Sequence, residues 1–230
     1  MSKLFVISDL HLSFSDDKKM DVFPGWKDYA GRLETNWKNT VGADDTVVIP
    51  GDISWAEDLS GAYEDLRFLD SLPGAKILGK GNHDYWWNTG SKMKRFFSDN
   101  GFSTLSVLYN NSFSVCGVNV CGTRGWSFDK EDADQQKMIS RECIRLEMSL
   151  RSTVDDPGDR YVFMHYPPVF PGGSVCTELI SVMKEYGVKR CLYGHLHAAA
   201  LATAFTGTEQ GITFDLVSAD YLGFTPFRLI

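Results

Sequence analysis

Paired cysteines, long apolar runs and an excess of positive charge are all missing from this chain. The five cysteines are odd in number and include no Cys-x-x-Cys pair, which argues against a disulfide framework. No apolar run approaches membrane-spanning length, and the run near the N-terminus is too short for a signal peptide. We therefore expect a soluble protein in a reducing, cytoplasmic compartment.

The scarcity of basic residues limits the partners that this protein can have. Lysine and arginine number 23 against 30 aspartates and glutamates, which gives a formal net charge of -7. Such a balance argues against a surface that holds nucleic acid or an anionic membrane. An acidic protein that acts on a phosphate ester needs a local positive charge, and bound divalent metal would supply it.

Size and composition fit one ordinary globular unit. The 230 residues are 43% hydrophobic and 23% charged, values typical of a folded domain. The sequence contains no internal repeat, linker or low-complexity segment. We expect a single domain of the α/β class over residues 1–230.

Short apolar runs alternate with amphipathic stretches, and polar residues follow five of these runs. Continuous apolar runs predict buried strands, and the helical stripes between them predict covering helices. Parallel strands bring their carboxyl ends to one edge of a sheet, where ligands bind. The sequence therefore predicts one site built from five segments: Ser8–His11, Pro50–Asp52, Gly81–Asp84, His165–Pro168 and Gly194–His197.

Two local patterns lead to more specific structural expectations. Residues 104–109, 112–116 and 118–121 are β-like and separated by turn signals, which predicts antiparallel hairpins in place of another β-α unit. The residues Ser54-Trp55-Ala56-Glu57 have the spacing of a capping box, which predicts that a helix begins there.

The polar segments supply seven candidate metal ligands, none of them a thiolate. They comprise four imidazoles, two carboxylates and one amide oxygen: Asp9, His11, Asp52, Asn82, His165, His195 and His197. Two ions that share a carboxylate would divide this set well, and the imidazoles favour Mn, Fe, Zn or a mixed pair over Ca or Mg. Taken singly, each residue has an ordinary explanation as a turn, a cap or a core histidine. Together they favour a metal site, because all five histidines follow strand-like runs.

In order along the chain, these segments resemble the full motif set of the calcineurin-like metallophosphoesterases. The resemblance spans residues 9–197 and is carried by Asp9-Leu10-His11, Gly51-Asp52, Gly81-Asn82-His83-Asp84, His165 and Gly194-His195-Leu196-His197. It implies a sandwich of two mixed β-sheets flanked by α-helices. It also implies a metal-dependent enzyme that hydrolyses a small phosphomonoester or phosphodiester by in-line attack of a hydroxide bridging two metal ions.

The resemblance further implies a role for each motif residue. His83 would contact the substrate phosphate and protonate the leaving oxygen, while Asp84 orients it. Asn82 would also contact the substrate. Asp52 would bridge the two ions, and the other ligands divide into Asp9, His11 and His197 for one ion and Asn82, His165 and His195 for the other.

Residues near the motifs have alternative interpretations. Arg124 follows a strand and either holds a substrate phosphate or is a surface arginine in a turn. Tyr85, Trp86 and Trp87 either floor a pocket for a base or aryl group or pack in the core. Lys80 either contributes positive electrostatic potential near the site or is simply a solvated lysine.

Two other functions stay open at this point. A non-catalytic metal-binding scaffold on the same fold would be expected to have lost ligands or the acid histidine, and this chain keeps them. A nuclease would be expected to have a basic groove, whereas the basic residues here are spread along the chain. We therefore expect a phosphohydrolase whose partner is a small phosphate ester, and neither a membrane nor nucleic acid.

Overall fold

The computed structural model describes residues 1–15, 18, 20–127, 133–172 and 174–230. The strands in these ranges are β1 (Leu4–Val6), β2 (Thr46–Ile49), β3 (Ala75–Leu78), β4 (Leu105–Val107), β5 (Phe113–Val115), β6 (Val118–Thr123), β7 (Asp159–Met164), β8 (Arg190–Tyr193), β9 (Gly207–Glu209), β10 (Ile212–Leu216) and β11 (Phe227–Arg228). The α-helices are α1 (Tyr29–Thr40), α2 (Tyr63–Ser71), α3 (Gly90–Asp99), α4 (Ala133–Arg151) and α5 (Thr177–Glu185).

The strands form two mixed sheets. The first sheet has the order β11-β1-β2-β3-β4, in which β1 to β4 are parallel and β11 is antiparallel to β1. The second has the order β5-β6-β7-β8-β10-β9, with four parallel central strands and an antiparallel strand at each edge. The expected α/β sandwich of two mixed β-sheets flanked by α-helices is confirmed.

The sheets face each other across an apolar layer, and helices cover their outer faces. Leu4 and Val6 of β1 pack between the sheets with Phe163 of β7, whereas the intervening Phe5 packs in the cluster that includes the helices of the first sheet. Helices α4 and α5 cover the second sheet in the same way, through residues such as Leu146. Because both faces of these strands are buried, their sequences are continuous apolar runs without polar alternation.

The segment 104–121 divides between the two sheets, so its prediction as consecutive hairpins is partly wrong. β5 and β6 form the expected hairpin. β4 pairs in parallel with β3 and follows α3, so it completes a β-α-β unit of the first sheet. Asn110 adopts a left-handed conformation (φ 61°) on the connection to the second sheet, a conformation that asparagine tolerates well.

The predicted capping box at Ser54 does not start a helix. α2 begins at Tyr63, and the Ser54 hydroxyl donates to the Asp65 carboxylate while accepting from Ala56 N–H (3.1 Å). Serine hydroxyls compete for nearby backbone donors in turns as readily as at helix starts. Ser54 therefore ties the segment after β2 to the side of α2.

Two further features bear on the expected compartment. The five cysteines are free thiols, and three of them are buried. Within the described ranges, no helix has both the length and the apolar character needed to cross a bilayer. A reducing, cytoplasmic setting stays a prediction.

Candidate active site

The carboxyl ends of strands from both sheets meet at one edge of the sandwich. The segment after β1 bonds to the segment after β10, because Ser8 N–H donates to Val217 O (2.8 Å) and Ala219 N–H donates to Ser8 O (2.8 Å). The same segment bonds to the loop after β2 through Asp9 N–H and Gly51 O (3.0 Å). The site is therefore built where two sheets join, and not along the edge of a single sheet.

Four of the candidate ligands have left-handed backbone conformations. The φ angle is 59° at Asp9, 46° at His11, 50° at Asp52 and 72° at His195. Such values are uncommon for residues that carry a side chain, and they persist mainly where function outweighs the conformational cost. Their concentration at this edge marks a functional site independently of side-chain chemistry.

Two glycines allow these loops to approach closely. A side chain on Gly81 would collide with the Asp52 carboxylate, and one on Gly194 would collide with that of Asp9. The Asp9 carboxylate also accepts from His195 N–H, at 3.0 Å from each oxygen. The glycines that precede Asn82 and His195 are thus required by packing around the two candidate carboxylates.

One group of potential ligand atoms surrounds Asn82 Oδ1. His165 Nε2 lies 2.7 Å and His195 Nδ1 2.9 Å from this oxygen, and the two nitrogens are 3.3 Å apart. Asp52 Oδ2 lies 3.4 Å from His165 Nε2. Metal–ligand bonds of about 2.0–2.2 Å place neighbouring ligand atoms about 3–3.5 Å apart. The four atoms therefore have the spacing of ligands around one ion.

A second group adjoins the first through Asp52. Asp9, His11 and His197 each offer a ligand atom within 4.8 Å of the others. The ring centroids of His11 and His197 are 5.3 Å apart, and His11 Nε2 lies 3.7 Å from Asp52 Oδ2. Asp52 Oδ2 is thus close to an imidazole of each group, which is the position of a shared ligand.

Several atoms of these groups are buried without a hydrogen-bond partner in the described part of the chain. They are Asp52 Oδ2, His165 Nδ1 and both ring nitrogens of His11. Buried polar atoms are nearly always paired in native proteins, so this cluster indicates a ligand. Carboxylate with imidazole is a donor set that Mn, Fe and Zn accept, and the residues present fit such metals.

Without a metal, burial disfavours charge on both the carboxylates and the imidazoles of this site. Burial raises the pKa of Asp9 to about 7, and burial with repulsion from Asp9 and Asp84 raises the pKa of Asp52 to about 9. Burial lowers the pKa of both His11 and His165 well below its usual value, so these rings are neutral. Neutral imidazole is the form that binds metal, and a nearby cation would favour the ionised carboxylates.

His83 lies beside these groups. Its ring centroid is 5.6 Å from that of His11 and 4.4 Å from that of Trp55, and its backbone N–H donates to Asp52 Oδ1 (2.8 Å). The ring is partly buried, and Nδ1 has no hydrogen-bond partner among the residues described. Burial lowers the pKa of His83, and a bound phosphate would oppose this by its negative charge.

Asp84 makes no hydrogen bond to the ring of His83, contrary to the expectation that it orients this ring directly. Burial raises the pKa of Asp84, and donors to its carboxylate oppose the rise. Asp84 therefore ties the loops after β2 and β3 together, and its effect on His83 stays a prediction. Its carboxylate accepts at 2.7–3.3 Å from four backbone N–H groups and one indole: those of Gly81, Asp52, Ile53, Ser54 and Trp86.

The residues that had alternative interpretations lie in different environments in the structure. Trp86 is buried in the core and Tyr85 is 61% exposed. Trp87, Arg124 and Lys80 line a cavity beside the site. Trp86 therefore packs in the core and also donates to Asp84, and substrate contact by Arg124 stays a prediction.

Two tryptophans at the site are not predicted there by the sequence patterns. Trp55 stacks on the ring of His11 (4.9 Å, 27°), and Trp26 meets the same ring edge-on (5.8 Å, 65°). Trp55 falls in the apparent capping box and Trp26 in a helical stripe. Only its position in the sequence could have indicated that Trp55 lies at the site, because it follows Asp52 closely in the same loop.

Comparison with known protein families identifies the class of protein that this fold and site define. A family model described as calcineurin-like phosphoesterase matches residues 2–199. The chain therefore belongs to the calcineurin-like phosphoesterase family. Members of the family typically bind two metal ions and act on phosphate esters.

The individual proteins that resemble this chain have low sequence identity to it or match only part of it. The Gene 66 protein of Mycobacterium phage L5 is 34% identical over 85 residues, which cover 36% of this chain and only 41% of that protein. The phosphopantetheinyl hydrolase of Mycobacterium tuberculosis has a similar structure, with a TM-score of 0.59 and 14% identity over 100% of this chain and 96% of that one. A protein of unknown function from Aquifex aeolicus, AQ665, has a TM-score of 0.53 and 17% identity over 99% and 96% of the two chains. At these identities the structural similarity concerns the fold alone.

Proposed function

We propose that this protein is a dinuclear-metal phosphohydrolase that hydrolyses a small phosphomonoester or phosphodiester. Asp52 would be the ligand shared by the two ions. Mn, Fe, Zn or a mixed pair would suit the donor set. The other ligands would divide into Asp9, His11 and His197 for one ion and Asn82, His165 and His195 for the other.

The position of Asp52 Oδ2 is the observation that carries this proposal. This buried atom lies 3.4 Å from His165 Nε2 and 3.7 Å from His11 Nε2, and it accepts no hydrogen bond within the described residues. An oxygen between two imidazoles is suited to bridge two adjacent cations. A site for one ion would not need imidazoles from both groups.

The residues of the chain would bind the phosphate, orient it and supply a proton. When bound, the two ions would lower the pKa of a water molecule and neutralise charge on the phosphoryl oxygens. His83 would donate a proton to the leaving oxygen, a contribution of about 10²–10⁴ in rate. Trp55 packs against the ring of His83 and restricts its rotation. Asn82 would contact the phosphate beside it, and Arg124 would hold a phosphate of the substrate.

Reconstitution of the metal-free protein tests this proposal. Stripped protein would be loaded separately with Mn, Fe, Zn, Ni or Co and offered bis-aryl diesters, aryl monoesters, cyclic nucleotides and nucleotide polyphosphates. We expect hydrolysis with at least one metal and a pair of ions per chain by elemental analysis. Full activity with a single ion would contradict the dinuclear site, and a pair of ions without any hydrolysis would favour a metal-binding scaffold.

A further inference from the structure

A cavity of about 430 Å³ lies beside the candidate metal site and is lined by residues that follow β3 and β6. Its wall includes Lys80, which precedes the Gly81–Asp84 segment, and Arg124, whose backbone oxygen accepts from His165 N–H (3.1 Å). None of the seven candidate ligands, all of them in the described ranges, lines it. The cavity therefore shares loops with the metal site but is separate from it. Its volume suits part of a small molecule.

Positive charge predominates on the wall of this cavity. Among the residues that the structure describes, Lys80, Arg124 and Arg145 line it, against a single carboxylate, that of Glu142. That carboxylate is already engaged, because it accepts from Thr123 Oγ1 (2.5 Å) and from Arg145 Nη1 (2.5 Å). A net excess of cations is unexpected in a chain whose formal charge is -7. It indicates a local preference for an anion.

The three cationic side chains share the wall of one cavity. Like charges brought together at the wall of a cavity are unfavourable unless an anion offsets them. The guanidinium of Arg124 also lies over the ring of Trp126, with 4.5 Å between its central carbon and the ring centroid. This contact limits the freedom of the Arg124 side chain.

Two buried N–H donors at this wall have no hydrogen-bond partner in the described part of the protein. They are Trp87 Nε1 and Arg124 Nε. Trp87 is only 9% exposed, so water does not readily satisfy its indole. Buried N–H groups are rarely left unpaired in native proteins. The residues that carry these donors line the same cavity as the three cations.

We propose that this cavity binds a second phosphate group, carried by the leaving group of the substrate. The inference rests on the proposed function, and it narrows the substrate to a phosphate ester whose alcohol bears another phosphate. In the reaction, water oxygen forms a bond to the phosphorus at the metal site and the bond from phosphorus to the leaving oxygen breaks. The leaving oxygen takes its proton from His83, the proton released by the attacking water restores His83 through solvent, and the alcohol departs with its own phosphate intact. Two negative charges match the excess of two positive charges at the wall.

A pair of substrates that differ only in the distal phosphate tests this inference. Alkanediol bisphosphates with two to six carbons would be compared with the monophosphates of the same diols, using phosphate release to measure kcat/KM. After correction for the two equivalent phosphates, we expect one chain length of bisphosphate to be preferred by about 10- to 100-fold, the range of a charge-assisted hydrogen bond. A compound with a carboxylate in place of the distal phosphate should be preferred less.

Variants of Lys80 identify the cavity as the origin of the preference. Lys80→Gln should reduce the ratio of the two kcat/KM values to near one, while Lys80→Arg should retain most of it. Lys92→Gln removes an exposed lysine of α3 that does not line this cavity, and it should leave the ratio unchanged. A preference that survives Lys80→Gln, or an equal preference for the carboxylate, would overturn the inference.

A binding measurement separates failure of this inference from failure of the proposed function. Calorimetric titration of the bisphosphate into metal-free protein reports on the cavity without catalysis. We expect binding that weakens about tenfold in Lys80→Gln. Hydrolysis of aryl esters without any bisphosphate preference would refute the second phosphate site and leave the phosphohydrolase intact. Tight binding of the bisphosphate without hydrolysis of any ester would support the second phosphate site and refute the phosphohydrolase.

Discussion

Two aspartates at opposite ends of β2 differ in the hydrogen bonds and in the pKa of their buried carboxylates. Asp45 precedes the strand, and its carboxylate accepts from Lys3 N–H (2.7 Å) and Gly42 N–H (2.8 Å). Asp52 follows the strand, and its Oδ2 atom is buried without a partner among the described residues. Burial opposes ionisation of Asp45, but these hydrogen bonds hold its pKa below the usual value, whereas the pKa of Asp52 rises to about 9.

This difference distinguishes a structural carboxylate from a functional one. A buried carboxylate with partners for both oxygens contributes to the free energy of unfolding. One with an unpartnered oxygen and a raised pKa opposes folding in its charged form, and it marks a functional site. The same residue type, only seven positions apart in the sequence, should therefore respond to the same substitution in opposite ways.

The largest expected effect is that of Asp52→Asn. The amide cannot bridge two cations as a carboxylate does, so metal content after dialysis should fall to background at both positions, with phosphoesterase activity. Loss of a residue that only supports a metal ligand already costs about 10–100-fold, and loss of the shared ligand should exceed this. The metal-free variant should be at least as stable as the metal-free wild type in urea unfolding at neutral pH, because wild-type folding must protonate a carboxylate that is ionised in the unfolded chain. Retention of one ion would show that Asp52 serves a single metal.

His83→Asn extends the comparison to a ring whose Nδ1 is also buried and unpartnered in the described part of the chain. Metal content should be unchanged, because His83 belongs to neither ligand group. Hydrolysis of alkyl esters should fall by about 10²–10⁴, since a poor leaving group needs a proton. Activated aryl esters should lose much less rate. An equal loss on both kinds of ester would mean that His83 mainly positions the phosphate.

Asp84 sharpens the comparison because it lies at the same edge as Asp52 but is partnered like Asp45. Its carboxylate accepts from five buried donors, including Gly81 N–H at 2.7 Å. Asp84→Ala should therefore lower the free energy of unfolding by at least ~3 kcal/mol in urea denaturation, because each stranded donor costs about 1–3 kcal/mol. Asp44→Ala, at an exposed position before β2, should change it little. Unchanged stability with a selective loss on alkyl esters would mean that Asp84 orients His83 after all.

The site was predictable from sequence because each of its segments carries its chemistry locally. A strand buried on both faces is a continuous apolar run, and polar residues after it have no core to enter. Asp9 and His195 lie far apart in the chain, yet the spacing within each motif indicated the same edge. The sequence could not show that the edge joins two sheets, since that depends on bonds such as Ser8 N–H to Val217 O (2.8 Å).

What sequence patterns missed depends on long-range partners. Ser54 fits a capping box locally, but Asp65 captures its hydroxyl and the helix starts at Tyr63. The strand β4 resembles a hairpin strand because turn residues follow it, but it has a parallel partner in β3. The cationic cavity combines Lys80, Arg124 and Arg145 from three separate elements, and no motif in the sequence connects them.

Asp45→Asn is the matched counterpart of Asp52→Asn and should have the smallest effect. One carboxylate oxygen becomes an NH₂ group that faces a backbone donor, so the free energy of unfolding should fall by about 0.5–1.5 kcal/mol at neutral pH. The pKa of Asp45 is lowered in the folded protein, so its contribution is present above the unfolded value of 3.8 and is lost as pH falls through the folded pKa. Urea unfolding of wild type and variant should therefore converge as pH falls through the folded pKa of Asp45, which lies below 3.8, while metal content and activity at neutral pH stay those of the wild type. A loss of bound metal in Asp45→Asn would mean that the two ends of β2 are coupled, and that an unpartnered carboxylate is not by itself what distinguishes the functional edge.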